Sequence, residues 1–390
     1  MKKKDHFGQF FTPENLVQQM LLLIHNQNPQ ARYLEPSAGN GAFFQQLPAH
    51  KIGIELDQNA IKQKEILNID FFDYPLNEKF DVIIGNPPYV KYQNILPKTK
   101  KNLLKNFHSL FYKNANLYLF FIYKCILHLK ENGELVFITP RDFMKSTSAK
   151  KLNEFIFQQG SITHFIDLGD VKLFSDAQPN CAIWRFEKNN FNFKNYFHCI
   201  QGQLFFTQNN YPVFFKDLFF VKVGAVSGSD LIFENEKYGN LDFVCSKTNQ
   251  TGKTKKMIYY FNDENKKYLK KYKTQLVNRK IKKMNENNWW EWGRDYFKSD
   301  LPRIYVNCKT RYAFPFFIHS VYAYDGSVLA IFPKFKVNEE SLKQLCFLLN
   351  QNNWQDLGFV CDGRFLFSQQ SLENSLLNES FLPFLKKLEE

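Results

Sequence analysis

Residues 80–89 read FDVIIGNPPY, an apolar run that ends abruptly in a polar residue and two prolines. The β-branched and aromatic residues of the first half favour a buried strand. The prolines end that strand, because each fixes φ and lacks the backbone N–H that strand pairing needs. Neighbouring carbonyl groups are then left to accept hydrogen bonds from a ligand. We therefore predict a strand whose carboxyl end carries a functional loop.

The rest of the first half alternates short apolar runs with helical patterns. Such alternation predicts an α/β fold with a doubly wound, mostly parallel sheet, in which ligands bind outside the carboxyl ends of the strands. An Asn132-Gly133 pair is typical of a helix end. We predict further strands at residues 32–35, 51–55, 134–138, 162–166 and 181–186, and helices at residues 14–24, 57–67, 116–130 and 149–159.

A glycine-containing turn follows the first of these strands. Residues 33–43 read YLEPSAGNGAF, and Gly39 and Gly41 would let the backbone come close to a ligand just before a helix. Glu35 at the strand end suits a ligand that bears positive charge. The pattern is neither G-x-G-x-x-G nor a phosphate loop. An ordinary strand-to-helix turn with two structural glycines is the alternative interpretation.

Acidic residues follow the next two strands. Glu55 and Leu56 end the second strand, about 20 residues beyond the glycine turn, where an acidic side chain typically holds a ribose diol. Asp70 and Phe71 end the third, where the carboxylate can accept from an adenine amino group and the ring can pack on the base. Each acid alone could be an ordinary surface residue, but their succession at consecutive strand ends predicts an adenosine-binding edge.

The loop at Asn86 suits chemistry on an exocyclic amine. Its side-chain carbonyl and the backbone carbonyl of Pro87 could accept both hydrogens of such an amine. The nitrogen lone pair, otherwise delocalised into the ring, would then be free to attack. This work is positioning and electrostatic stabilisation, and no strong base is needed. Tyr89 offers a face for stacking a planar substrate, as enzymes that flip bases require.

These motifs, in this order, resemble those of the class I S-adenosylmethionine-dependent methyltransferases, whose fold is Rossmann-like. Within them, the chain resembles the gamma-group N6-adenine DNA methyltransferases of the TaqI type over about residues 8–187. Asn86-Pro87-Pro88-Tyr89 matches the catalytic tetrapeptide of that group without departure. The resemblance also assigns Thr12 and Phe121 to the cofactor. It assigns Phe174 to the flipped base, although two extra residues precede Phe174 and a plain core phenylalanine is the alternative.

The resemblance implies a set of site residues. The catalytic residues are Asn86, Pro87, Pro88, Tyr89 and Phe174. The cofactor-binding residues are Thr12, Glu35, Pro36, Ser37, Ala38, Gly39, Gly41, Glu55, Leu56, Asp70, Phe71, Asn86, Pro88 and Phe121. It further implies S-adenosylmethionine as cofactor, double-stranded DNA as substrate, and a modification role in a restriction-modification system. Whether a cognate restriction endonuclease exists as a partner stays open.

The second half carries the excess charge. We predict a methyltransferase domain at residues 1–205 and an α+β target-recognition domain at residues 206–390. The formal net charge is +13, and residues 247–283 hold 13 basic and 2 acidic residues, a net of 13 − 2 = +11. Such a block usually marks a polyanion surface, with a solvated lysine-rich face as the alternative. The aromatic residues among and after these lysines could stack on bases or form a core: Tyr259, Tyr260, Tyr268, Tyr272, Trp289, Trp290 and Trp292.

The amino-acid composition argues against several classes of protein. The seven cysteines show no C-x-x-C pair, which predicts reduced thiols in a cytoplasm and neither a disulfide framework nor a metal site. No apolar run is long enough to span a membrane, and the first residues lack a signal peptide's apolar region. We expect a monomeric cytoplasmic enzyme without a membrane partner.

Other functions remain compatible with the same tetrapeptide. RNA guanine-N2 methyltransferases and protein-glutamine methyltransferases also use this tetrapeptide. Their substrates are likewise a planar amine or amide, whose nitrogen lone pair is delocalised. A methyltransferase fold kept only for DNA binding is a further alternative, but it predicts decayed motifs. DNA methylation is favoured by the Thr12-Pro13 motif, by a C-terminal extension of about 170 residues, which is an ordinary domain size, and by its concentrated basic charge.

Overall fold

A computed structural model describes residues 11–107, 115–169, 180–193, 196–281, 284–361 and 363–388. The chain forms two compact units, unit 1 at Met1–Asn209 and unit 2 at Asn210–Glu390. The expected domain boundary, between residues 205 and 206, lies close to this division. Within the described residues, no helix combines the length and the apolar character that crossing a membrane requires.

The described part of unit 1 is built on a seven-stranded sheet with the order β3-β2-β1-β4-β5-β7-β6. The first five strands pair in parallel, and β7 runs antiparallel to both β5 and β6. This confirms the predicted doubly wound, mostly parallel sheet. The strands are β1 (Tyr33–Glu35), β2 (Lys51–Glu55), β3 (Ile66–Asn68), β4 (Phe80–Gly85), β5 (Leu129–Pro140), β6 (Gly160–Asp167) and β7 (Cys181–Lys188).

Helices cover both faces of this sheet. Successive side chains of a strand point to opposite faces, so Ile83 of β4 packs in one core cluster while Val82 and Ile84 pack in another. The middle strands therefore read as continuous apolar runs. The helices in the described part of unit 1 are α1 (Glu14–Leu21), α2 (Pro97–Phe107), α3 (Leu117–His128) and α4 (Lys150–Gln159).

Three predictions about elements of unit 1 are wrong. Residues 57–67 do not form a helix: residues 57–65 form turns and bends, and Ile66 and Leu67 belong to β3. The Asp57 side chain accepts from the backbone N–H of Asn59 at 3.0 Å, and the chain must return as β3 beside β2. The helix expected after the glycine turn is only a 3₁₀ turn, Phe44–Gln46. Helix α3 ends at His128, and the left-handed Asn132 lies within β5.

A short hairpin, β8 (Phe197–Ile200) and β9 (Gln203–Phe206), completes unit 1. Unit 2 is α+β, and the largest sheet among its described residues is antiparallel with the order β11-β17-β14-β16. Its strands are β10 (Val213–Phe214), β11 (Phe219–Val223), β12 (Leu241–Phe243), β13 (Lys255–Met257), β14 (Ile304–Asn307), β15 (Lys309–Thr310), β16 (Phe316–Phe317), β17 (Val328–Pro333), β18 (Val360–Cys361), β19 (Arg364–Leu366) and β20 (Leu376–Leu377). Its helices are α5 (Phe215–Leu218), α6 (Asp230–Phe233), α7 (Thr248–Thr251), α8 (Asp263–Lys270), α9 (Lys273–Val277), α10 (Glu339–Gln351), α11 (Gln369–Glu373) and α12 (Leu382–Leu385).

The tryptophans of unit 2 belong mainly to its core. Trp289 and Trp292 are buried, and Trp292 stacks on Phe243 with ring centroids 5.1 Å apart. Tyr260, by contrast, is largely exposed. Of the two interpretations of these aromatic residues, packing therefore applies to Trp289 and Trp292.

Candidate active site

The loops after β1, β2, β3 and β4 meet around one cavity, and the empty space of about 800 Å³ there includes a part that is open to solvent. This is the edge of the sheet at which parallel strands present their carboxyl ends, the expected place for a ligand. The predicted site residues that line the cavity are Pro36, Ser37, Gly39, Glu55, Leu56, Asp70, Phe71, Asn86, Pro88 and Phe121.

The glycine turn after β1 is tied to the end of β2. Glu55 accepts a hydrogen bond from the backbone N–H of Gly39 at 2.7 Å through one oxygen and from that of Asp57 at 2.8 Å through the other. Gly39 and Gly41 have φ angles of 53° and 79°, a region that favours glycine. A Cβ on Gly41 would also collide with the side-chain oxygen of Gln63. The turn and the Glu55 carboxylate therefore form one rigid wall.

The second wall combines an acid with stacked aromatic rings. Asp70 is buried, with one oxygen accepting from the backbone N–H of Phe72 at 2.9 Å and the other from the hydroxyl of Thr99. Phe71 stacks on Phe121 of α3 with centroids 5.0 Å apart. A carboxylate oxygen has two lone pairs, so each oxygen of Asp70 can accept a further hydrogen bond from a ligand.

The backbone and the side chain of Asn86 are both fixed. Its backbone carbonyl accepts from the Ser37 hydroxyl at 3.1 Å, which joins the loop after β4 to the glycine turn. Its side-chain nitrogen donates to the hydroxyl of Thr12 at 3.2 Å. That bond places the acceptor oxygen Oδ1 at the opposite end of the amide. The sequence pattern predicted Asn86 and Thr12 separately, and the structure brings them into contact.

Tyr89 lies beside the cavity rather than in its wall. Its hydroxyl donates to the backbone carbonyl of Ile138 at 3.0 Å, and its ring meets that of Tyr118 edge-on at 5.9 Å. Burial raises the pKa of Tyr89 well above its ordinary value. The hydroxyl therefore anchors the ring.

The structure places several other predicted residues behind the cavity wall. Glu35 is only 1% exposed, and burial raises the pKa of its carboxyl well above the ordinary value. A hydrogen bond from the backbone N–H of Phe44 acts in the opposite direction and lowers this pKa by a smaller amount. Ala38 and Pro87 are buried, and the N–H of Ala38 donates to the carbonyl of Ile54 at 2.8 Å. These residues shape the two loops from within. Phe174 lies outside the described residues.

Sequence reasoning missed residues on two segments. Phe11 precedes α1 and lines the cavity near Gly39. Thr99 lines it from α2, with Leu96 just before that helix. Phe11 directly precedes the Thr12-Pro13 motif. Thr99 gave no local signal, because its partner Asp70 is 29 residues away in the sequence.

Comparison with known proteins identifies relatives of the first half of the chain. Residues 16–174 match the sequence model of the family described as Eco57I restriction-modification methylase. The type II methyltransferase M.HincII of Haemophilus influenzae is 35% identical over 192 residues, 48% of this chain and 38% of that protein. M.AccI of Acinetobacter calcoaceticus, also a type II methyltransferase, is 28% identical over 223 residues, 52% of this chain and 41% of that protein. The chain thus spans about two fifths of the length of these curated relatives.

A solved structure resembles nearly the whole chain. It is that of the type IIL restriction-modification enzyme MmeI in complex with DNA, with a TM-score of 0.56 over 93% of this chain and 64% of that chain. The sequences are 13% identical, so this likeness concerns the fold alone.

Proposed function

We propose that the chain is a site-specific DNA methyltransferase, because residues 16–174 match the sequence model of the family described as Eco57I restriction-modification methylase. It uses S-adenosylmethionine and methylates the N6 amine of an adenine that has left the duplex. One observation carries the proposal. Asn86, whose side chain can accept amine hydrogens, is fixed in the wall of a cavity whose other walls suit an adenosine.

The described residues around the cavity fit S-adenosylmethionine. Glu55 lies at the end of β2, where a carboxylate typically accepts hydrogen bonds from the hydroxyls of a ribose. Asp70 can accept from an adenine amino group, while Phe71 and Phe121 present apolar ring surface to the base. Gly39 has no side chain to obstruct the amino-acid portion. When bound, S-adenosylmethionine supplies an electrophilic methyl group.

The chain's own contribution to the reaction is geometric and electrostatic. Asn86 Oδ1 and the carbonyl of Pro87 accept the two hydrogens of the target amine and hold its nitrogen for in-line attack. Pro88 lines the cavity beside Asn86 and keeps the loop rigid. Tyr89 supplies a ring face on which the target base stacks. Its hydroxyl donates to the backbone carbonyl of Ile138 and so holds the ring in place.

The wider role follows from the relatives. M.HincII and M.AccI are named type II methyltransferases, and the family is named for restriction-modification. We infer a modification role of the same kind, with double-stranded DNA as substrate and unit 2 as the part that chooses the site. A cognate restriction endonuclease would be the partner of such a system.

The alternatives share the same loop and differ in the acceptor. A planar amide of a glutamine side chain or a guanine amine in RNA could also be held by Asn86 and Pro87. The basic second unit favours nucleic acid over protein. A non-catalytic DNA-binding role is disfavoured because Asp70 and Asn86 are retained and surround a formed cavity.

A direct transfer assay separates these functions. The purified chain is given S-adenosylmethionine labelled in the methyl group, with unmethylated genomic DNA, transfer RNA and a protein extract as competing acceptors. We expect label in DNA alone, recovered as N6-methyl-2′-deoxyadenosine after digestion to deoxynucleosides. The Asn86→Ala variant, tested under conditions in which it is as saturated with S-adenosylmethionine as the wild type, should lose most of the methyl transfer. Label in RNA or protein, or equal transfer by Asn86→Ala, would overturn the proposal.

A further inference from the structure

Helix α2 has two chemically distinct faces. Thr99, Leu103 and Phe107 recur every four residues and are buried. Lys98, Lys101 and Lys105 are spaced by three and four residues, which places them together on one side of the helix. At 3.6 residues per turn this lysine face points nearly opposite to the buried face. The helix is therefore firmly packed and presents a row of cations to solvent.

The charge of this segment is unbalanced. Residues 90–107 contain five lysines, at 91, 98, 100, 101 and 105, and no aspartate or glutamate. Lys98 pairs with Asp73 at 3.0 Å, and the amine of Lys100 lies 5.0 Å from the ring centre of Tyr92. Within the described residues, Lys101 and Lys105 form no ion pair. Both Lys101 and Lys105 are exposed.

The segment that carries the lysine face borders the cavity of the proposed active site with its other, buried side. The same segment follows the Asn86 loop directly and lines the cavity through Val90, Ile95 and Thr99. A base that reaches Asn86 stays covalently joined to its own phosphates, so the DNA backbone must pass near this loop. The lysine face extends about 10 Å along the helix, and successive phosphates of one strand advance about 3.4 Å along the duplex.

We propose that the lysine face of α2 binds the phosphate backbone of DNA beside the flipped base, as a contact surface on unit 1 itself. This inference rests on the proposed function, since it places the backbone of a DNA substrate. Lysines that bind phosphates position a duplex but carry little sequence information. The surface should therefore strengthen binding to every DNA sequence alike.

The test compares two double variants of the full chain. Lys101→Gln with Lys105→Gln removes the two cations of the face that form no ion pair within the described residues. Lys62→Gln with Lys64→Gln removes two exposed lysines from the turn before β3 and is the matched control. DNA binding is measured by fluorescence anisotropy between about 50 and 200 mM salt, with a specific and a random duplex. Cofactor affinity, measured by calorimetry, reports whether the pocket under α2 is intact.

For the α2 variant, we expect DNA affinity near 0.1 M salt to fall about five- to tenfold for each phosphate that a lysine no longer neutralises, and the salt slope to fall by about 0.9 per phosphate. Both duplexes should be affected equally, with unchanged cofactor affinity and an unchanged control variant. The inference is overturned if the α2 variant binds DNA like the wild type, if the control weakens binding equally, or if the same lysines favour duplex RNA. If one of these three outcomes is found and the wild-type protein still methylates DNA, the inference about α2 fails and the proposed function stands. If the wild-type protein neither binds DNA nor transfers a methyl group to it, the inference and the proposed function both fail.

Discussion

At the scale of single residues, Asn86 is held by hydrogen bonds to two other segments. Ser37 fixes its backbone and Thr12 fixes its side chain, at 3.1 and 3.2 Å. An acceptor that is already oriented loses little freedom when the amine arrives, which is how fixed dipoles lower a reaction barrier. Thr12 thus acts through Asn86 in this account, in addition to the cofactor contact implied by the sequence resemblance.

Replacing Asn86 tests this directly. Asn86→Ala should lower the single-turnover rate of methyl transfer by about 100-fold or more, because a hydrogen bond to the reacting amine is removed. Thr12→Val should cause a smaller decrease, since it removes only the orienting bond, and Thr12→Ser should restore most of the rate. A near-wild-type rate for Asn86→Ala would contradict the assigned role.

The cofactor pocket gives a second prediction at this scale. Asp70→Ala should weaken S-adenosylmethionine binding by about 1–3 kcal/mol, the cost of leaving a buried polar partner without its hydrogen bond. Thr99→Val should weaken it less, because Thr99 orients Asp70 by donating to its carboxylate. Calorimetry on these variants, with Thr99→Ser as the conservative control, measures the effect. Unchanged affinity in Asp70→Ala would show that the cofactor binds elsewhere.

At the scale of elements, α3 carries a buried cation beneath the adenosine wall. Lys124 is 1% exposed, and its amine donates to the backbone carbonyls of Phe71 and Tyr74 at 2.5 and 2.7 Å. Burial lowers its pKa from 10.5 to about 8. The lysine thereby fixes the turn that follows β3 and contains Phe71.

The lowered pKa predicts a pH-dependent stability. Because the pKa in the folded state lies below that in the unfolded state, the unfolded chain binds more protons between about pH 8 and pH 10.5. The free energy of unfolding contributed by Lys124 therefore rises with pH across that window, by at most about 3 kcal/mol. The melting temperature of the wild type relative to Lys124→Met should rise from about pH 8 to about pH 10. A constant difference would contradict the lowered pKa.

Elements whose signal is local could be predicted from the sequence. The predictions for β2, β4, β7 and α4 are correct in position. A strand that is buried on both faces has a continuous apolar sequence, and a helix that is buried on one face has a periodic one. Residues 57–67 were not predicted correctly, since their helix-forming side chains are overruled by pairing of β3 with β2. Thr99 and Lys124 act across long sequence separations, which no local spacing records.

At the scale of the whole molecule, the basic block of residues 247–283 has mixed roles. Lys255 pairs with Asp230 and Asp325, and Arg279 is buried and donates to backbone carbonyls, so both serve the fold of unit 2. The lysines of α8 and the turn after it are different, because Lys267, Lys270 and Lys271 are not buried. These exposed lysines are among the residues of the block that suit phosphates.

Neutralising Lys266, Lys267, Lys270 and Lys271 together should weaken specific and non-specific DNA binding alike. The salt slope should fall by about 0.9 for each phosphate that these lysines no longer neutralise, while the methylated sequence stays the same. Anisotropy titrations over a range of salt concentrations measure both quantities. Unchanged affinity and slope would identify this face as merely solvated and leave α2 as the basic surface to consider.

The central claim is that the chain methylates the N6 amine of adenine at a defined DNA sequence. It is tested most directly by expressing the chain in a host that lacks DNA methylation and mapping modified bases by direct sequencing of the host genome. We predict N6-methyladenine at one recurring sequence, and its disappearance with Asn86→Ala expressed at the same level. A methyl group on cytosine, or a genome without modified bases despite folded, cofactor-binding protein, would contradict the claim.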